Sequence, residues 1–213
     1  ASAIRKLNIP LQINTTLNRL NHDQVWDIER LIKSFSIDLW SVFFLVPTGR
    51  AQKELALDAI RTEEALNELY NVLEMGWFDV KTTEAHHFRR VVLQRHGVTP
   101  EQLEQGQVEN PTASLLRASR GVADGRGFVF ISHTGDVCPS RFLPLSAANI
   151  KDTPIASIYR NSWLFKHLRD TDALKGKCGR CEYRYLCGGS RARAYALTGE
   201  VMGSDPYCIY QPA

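Results

Sequence analysis

Cys178-Gly179-Arg180-Cys181-Glu182-Tyr183-Arg184-Tyr185-Leu186-Cys187-Gly188-Gly189, closed from a distance by Asp205-Pro206-Tyr207-Cys208, decides the reading of this chain. Four of the five cysteines fall there, in a C-x2-C-x5-C-x20-C array. A C-x2-C step lets two thiolates reach one centre from a single turn, and Cys187 and Cys208 complete a four-sulfur set. Such a set suits either a [4Fe–4S] cluster or a tetrahedral zinc ion. A zinc ribbon carries two C-x2-C steps, and here the lone Cys187 stands in place of the second. A redox dithiol is disfavoured because no C-x-x-C pair stands alone.

Composition narrows the setting. The 213 residues are 44% hydrophobic and 23% charged, ordinary for a globular protein with a core. A net charge of +3 is too small to argue for nucleic acid. No apolar run approaches the roughly 18 residues of a membrane span, and no apolar signal core follows Ala1-Ser2-Ala3-Ile4-Arg5-Lys6. A cytoplasmic protein is expected. An odd number of cysteines gathered at one end does not make a secreted disulfide framework.

Upstream of the cysteines the pattern is α/β. Leu11 to Leu17 alternates like a strand, and Asn21 with Gln24 predicts a capping box for the helix carrying Val25, Ile28, Leu31, Ile32 and Phe35. Leu39 to Val46 is apolar on both faces, as in a covered parallel sheet. A helix follows with Leu66, Leu69, Val72 and Leu73 on one stripe and a stop at Gly76. A strand from Trp77 to Lys81 and a helix from about Thr83 to His96 complete three strand–helix units. Such units imply parallel strands with right-handed crossovers, too few to close a barrel. The expected organisation is a partial (β/α) barrel over residues 1–98, a linker or substrate-side segment over 99–127, and a small α+β module over 128–213. The linker's glycines, Gly121, Gly125 and Gly127, lack the ending of a phosphate-binding loop. In the last module, Phe128 to Ser132 and Val137 form a hairpin about His133-Thr134-Gly135-Asp136. Ile155 to Leu168 and Ser190 to Leu197 are helical.

The cysteine array, with Cys187-Gly188-Gly189-Ser190-Arg191-Ala192-Arg193-Ala194 and Asp205-Pro206-Tyr207-Cys208, resembles the C-terminal SPASM/twitch domain of radical S-adenosylmethionine enzymes. It is similar to members of heme d1 and alternative heme biosynthesis and to peptide maturases. Ile13-Asn14-Thr15-Thr16 and Phe44-Leu45-Val46-Pro47-Thr48-Gly49 resemble late strands of their barrel. The resemblance implies an oxidoreductase or maturase acting on a tetrapyrrole or a peptide, with a flavodoxin- or ferredoxin-type electron donor. It also implies one auxiliary [4Fe–4S] cluster on Cys178, Cys181, Cys187 and Cys208, and an adenine-side position for Leu45 and Val46. Full SPASM domains carry a further cysteine four residues after the C-x5-C step and another in the hairpin. Here Arg191 and Ser140 stand at those places, so one auxiliary cluster is expected rather than two. Cys138 is then read as buried filler. The C-x3-C-x2-C loop that binds the S-adenosylmethionine-cleaving cluster has no counterpart among these residues. The chain is therefore expected to be the later part of a longer enzyme, inactive alone, whose full length adds S-adenosylmethionine and a second [4Fe–4S] cluster. The alternative is a non-catalytic zinc- or cluster-binding module or partner protein.

Other polar residues have plainer readings. Lys175, Lys177, Arg180, Arg184, Arg191 and Arg193 shield a negative cluster, contact an anionic substrate, or form a solvated surface. Glu84 and His87 read as a helix-surface pair. His86, His96, His133 and His167 read as structural or exposed, and Asn14 and Thr16 as cavity lining or core.

Overall fold

Three β-rich stretches pair into one parallel sheet in the computed structural model, which describes residues 2–108 and 123–212. After α1 (Ser2–Lys6) come β1 (Gln12–Leu17), α2 (Val25–Lys33), β2 (Leu39–Phe44), α3 (Ala59–Glu74), β3 (Asp79–Thr83) and α4 (Phe88–Arg95). The order is β1-β2-β3, with Gln12 opposite Leu39 and Leu39 opposite Asp79. Strand residues alternate between faces. Trp40, Val42, Phe44, Leu17 and Val80 are buried with Val25 and Ile32 of α2, Leu66 and Leu69 of α3, and Val91 of α4. Each such side chain contributes about 1.5–3 kcal/mol on burial. Leu39, Ser41 and Phe43 face the other way and line a cavity.

Three local expectations are corrected. Asn21 does not cap α2: a 3-10 turn, His22–Gln24, intervenes, and the Asn21 carboxamide instead ties Asn18 N and Thr16 O. The third strand starts at Asp79 rather than Trp77, which stays 57% exposed under the Lys33 ammonium. The fourth helix starts at Phe88 rather than Thr83, because Glu84 takes a left-handed backbone, φ 58°, and turns the chain inward.

α5 (Pro100–Glu104) opens with a Thr99–Gln102 capping box. Residues 109–122, and with them part of the expected linker including Gly121, lie outside the described residues. Beyond them, β4 (Phe130–Ile131), β5 (Asp136–Cys138) and β6 (Ala148–Asn149) form an antiparallel sheet, with the expected hairpin turn at Gly135. The helix expected from Ile155 is broken at Ser162 into α6 (Ile155–Asn161) and α7 (Trp163–Arg169), Ser162 capping the second. The cysteines span α8 (Gly176–Gly179) and the loop to α9 (Arg191–Thr198). The helix expected over Ser190 to Leu197 is α9, which Ser190 caps and Gly199 ends in the left-handed region. Tyr183 and Tyr207 of this module join the core of the parallel sheet and its helices. Among the described residues no helix is long and apolar enough to cross a membrane.

Candidate functional site

Cys178, Cys181, Cys187 and Cys208 line one small pocket together with Arg90, Lys177 and Tyr210. No disulfide joins them. Each sulfur meets a backbone N–H: Asp205 N donates to Cys178 Sγ at 3.4 Å and Gly189 N to Cys187 Sγ at 3.4 Å. Tyr183 and Tyr210 serve Cys181 and Cys208 in the same way. Three of the four donors stand two residues after their cysteine, the turn geometry that aims sulfur and amide at one centre. Close approach needs glycine twice. A Cβ on Gly179 would lie 2.1 Å from Leu174 O. One on Gly189, at φ 66°, would lie 2.7 Å from Asp205 Cβ and 3.4 Å from Cys178 Sγ.

Burial pushes the Cys181 thiol up to about 11 and Cys187 to about 12, and raises Cys208. Thiolates here need a cationic centre among them. Arg90 and Lys177 stand at the pocket, and their charges offset part of the rise that burial gives Cys208. Glu63 holds Arg90 through two hydrogen bonds at 2.9 and 2.5 Å, and Lys177 Nζ donates to Cys208 O. Among the described residues no three His, Cys, Asp or Glu side chains are arranged to hold a single metal ion. Four thiol groups round one pocket are a donor set for either a [4Fe–4S] cluster or a tetrahedral zinc ion.

The segment after β3 clamps the cysteine module to the sheet. Glu84 O accepts from Arg193 Nη1 at 2.5 Å, and Ser190 Oγ donates to Glu84 Oε2 at 2.5 Å. His86 Nδ1 meets Gly189 O at 2.8 Å, and Arg89 Nη1 donates to Leu186 O at 2.6 Å. Beneath them lies a fully buried ion pair: Arg193 donates through Nε and Nη2 to Asp205 at 2.9 and 2.7 Å. Burial alone would raise the Asp205 carboxyl, but the Arg193 guanidinium overrides it and holds it well below the usual carboxylate range. His87, wholly buried, has its Nδ1 3.9 Å from Asp205, and burial keeps it neutral, pushed down to about 3. Glu84 and His87 are therefore no surface pair. The left-handed turn at Glu84 carries both inside, which a helical reading of 83–96 conceals.

Beside this clamp a cavity of about 720 Å³ separates the inner face of the sheet from the hairpin module. Its size suits a small-molecule site, typically about 300–1,000 Å³. Apolar walls come from Leu39, Phe43, Phe128, Phe130 and Phe142, and the Phe43 and Phe142 rings meet at 6.3 Å. Lys81, Arg89 and Arg141 supply cations, Glu84 and Asp124 carboxyl groups. Burial raises Glu84 to about 7 and Asp124 adds to the rise, with Ser190 and Arg193 offsetting part. Asp124, also raised by burial, is held by Ser140, by Ala192 N at 3.0 Å and by the Arg191 charge.

The other predicted positions divide. Val46 is buried among Leu143, Leu164 and Met202, and Leu45 N pairs with Leu17 O; neither lines the cavity. Arg191 and Arg193 are 4% and 0% exposed, so they are not a solvated surface, whereas Lys175 is exposed and pairs with Glu200. Cys138 is buried in β5, as expected of filler. Asn14 and Thr16 are exposed, and Gln12 of the same strand lines the cavity in their stead. Asp124 and Ser140 had no signal of their own as a pair, since they meet only in three dimensions.

No family model matches the chain. It is similar over 98% of its length to AdoMet-dependent heme synthase of Methanosarcina barkeri, 37% identical over 209 residues. It is also similar to pre-heme d1 synthase of Dinoroseobacter shibae at 27% and to PqqA peptide cyclase of Bradyrhizobium diazoefficiens at 28%. The chain spans 58%, 54% and 51% of the length of these relatives. In fold it is similar to Streptococcus suis SuiB bound to S-adenosylmethionine, TM-score 0.59 at 12% identity, over 98% of this chain and 47% of that one. It is likewise similar to anSMEcpe with bound AdoMet and Cp18Cys peptide, TM-score 0.59 at 12% identity, over 97% and 55%.

Proposed function

We propose that the chain is the later part of a radical S-adenosylmethionine oxidoreductase or maturase, a reading supported by its similarity to AdoMet-dependent heme synthase over 98% of its length. In this reading residues 1–98 are the end of a partial barrel, 99–127 a substrate-side segment, and 128–213 a SPASM/twitch module. Cys178, Cys181, Cys187 and Cys208 hold one auxiliary [4Fe–4S] cluster. When bound, the cluster supplies one-electron exchange or structural support. The observation that carries the reading is the convergence of the four sulfurs on one pocket, each with an N–H donor.

The cavity takes the substrate between sheet and module, its aromatic walls against a flat apolar body and Lys81, Arg89 and Arg141 against carboxylates. We assign it a tetrapyrrole precursor of heme, the substrate class that the name of the 37% identical relative suggests. A peptide is the second reading, favoured by the PqqA peptide cyclase relative. S-adenosylmethionine and its own cluster belong to the remainder of the enzyme, with Leu45 and Val46 on the adenine side through their backbone. A flavodoxin- or ferredoxin-type donor supplies electrons, and the enzyme works in the cytoplasm.

Anaerobic reconstitution with iron, sulfide and zinc counted per chain tests the centre. About four irons and four sulfides are expected, lost in Cys178→Ala/Cys181→Ala and depleted in Cys208→Ala. One tightly held zinc without sulfide overturns the cluster and leaves a structural module.

A further inference from the structure

The cavity wall holds a carboxyl pair that comes from two distant parts of the sequence. Glu84 follows the last residue of β3, at the C-terminal edge of the parallel sheet, the edge at which barrel folds gather their reactive groups. Asp124 lies beyond the undescribed segment. They are 5% and 3% exposed, both line the cavity, and both are anchored on the first turn of α9: Ser190 Oγ on Glu84, Ala192 N on Asp124.

Counting charges shows what this burial demands. Asp124, Asp205 and Arg193 act on Glu84, with the Ser190 hydroxyl bonded to it. Arg193 is already committed to Asp205 through two hydrogen bonds. Arg191, which faces Asp124, spends its guanidinium on Val201 O and Gly203 O. His86 and His87 are neutral at pH 7, burial pushing them to about 4 and about 3. Three buried carboxyls therefore face two buried guanidiniums. Without a proton, one buried negative charge would be left without a buried guanidinium of its own, the cations Lys81, Arg89 and Arg141 lying on the same cavity wall, which is costly.

We propose that Glu84 recognises an anionic ligand of this cavity as a carboxylic acid: the proton that it holds beside Asp124 hydrogen-bonds a carboxylate of the ligand, and binding takes up one proton from solvent there. The inference rests on the reading of the cavity as the site of a carboxylate-bearing tetrapyrrole. Lys81, Arg89 and Arg141 balance most of the ligand's charge, and an ionised Glu84 beside it would repel the remainder. The direction follows: an entering anion penalises the ionised form of Glu84, so affinity falls as pH rises through about 7, where burial has placed this group.

The test is an absorption titration of the full chain with a propionate-bearing porphyrin on both sides of pH 7. Wild-type affinity is expected to fall up to about tenfold per pH unit above that point, with one proton taken up in calorimetry across buffers of different ionisation heat. Glu84→Gln keeps a hydrogen-bond donor without a titrating group, so its profile loses this fall and the proton uptake disappears. Asp124→Asn removes the neighbouring charge and moves the fall to lower pH. Independently of ligand, infrared difference spectra should show a protonated-carboxyl stretch that titrates near neutrality and is absent from Glu84→Gln. Identical pH profiles for wild type and Glu84→Gln, or no such band, overturn the proposal. A porphyrin that binds neither protein at any pH overturns the tetrapyrrole reading and the ligand half of this inference, while the infrared band still decides whether Glu84 holds a proton.

Discussion

Replacing Asp205 with asparagine changes one atom type and almost no volume, so its cost measures charge. Asp205 is fully buried and accepts four hydrogen bonds, two from Arg193 and one each from Ser190 N and Tyr207 N. In Asp205→Asn the guanidinium remains buried, and the amide nitrogen turns a donor toward groups that only donate. Breaking one side of a buried pair costs about 3–5 kcal/mol, against a total stability of roughly 5–15 kcal/mol for a domain. The loss is to be read from urea unfolding of the reduced, metal-free chain, as a lower midpoint at unchanged slope. Arg193→Met alone should cost a comparable amount. The double variant Asp205→Leu/Arg193→Met should recover part of both, because an apolar pair removes two desolvated charges together. A loss below about 1 kcal/mol would equal that of an exposed pair and would refute the reading of Arg193 and Asp205 as a buried, mutually dependent ion pair within the module.

Stability should also fall in mild acid. His86 is pushed by burial from 6.5 down to about 4, so its contribution is complete above pH 6.5 and lost as pH falls through about 4. The full contribution is on the order of 3 kcal/mol. Glu84, raised from 4.5 to about 7, acts in the opposite sense: it stabilises below 4.5 and loses that contribution as pH rises through 7. Glu84→Gln therefore isolates the histidine limb in unfolding series across this range. Arg191 Nη2 lies 3.9 Å from Cys178 Sγ, so Arg191→Gln should lower the midpoint potential of the reconstituted centre at unchanged iron content, read by redox titration with EPR detection. Gly189→Ala should cost about 1–3 kcal/mol through crowding against Asp205 and loosen iron retention; unchanged iron and unfolding midpoint would show that the loop has room to spare.

Legibility from sequence followed the range of the interactions. Strands β1 and β2, the stop at Gly76 and the helical run that became α9 were readable because alternation, left-handed glycines and helix propensity act within a few residues. The four cysteines were readable because their spacing is itself the motif. The Glu84–His87 turn was not: its residues look like an amphipathic helix start, and only Arg193, Ser190 and Gly189, over a hundred residues away, hold it inward. Burial of Arg191 and Arg193 was hidden for the same reason. Arginine on a helix defaults to solvent, and the partners that change this, Asp205 and the carbonyls of Val201 and Gly203, follow α9 in a loop without regular pattern.

Two departures from the resembled SPASM pattern, made separately in sequence, converge in space. Ser140 in the hairpin module and Arg191 in α9 stand where that pattern has cysteines, and Asp124 lies between them, hydrogen-bonded to Ser140 and facing the Arg191 charge. Either change alone would leave a polar group stranded: a buried Asp124 without Ser140 loses a donor, and without Arg191 it loses a cation. Together with Ala192 N they satisfy one buried carboxylate. The region is therefore built around a carboxylate rather than a second set of thiols, which supports one auxiliary centre in this chain. It also explains why a carboxyl pair appears on this cavity wall. Asp124 comes from the module and Glu84 from the end of the sheet's last strand, and the first turn of α9 holds both.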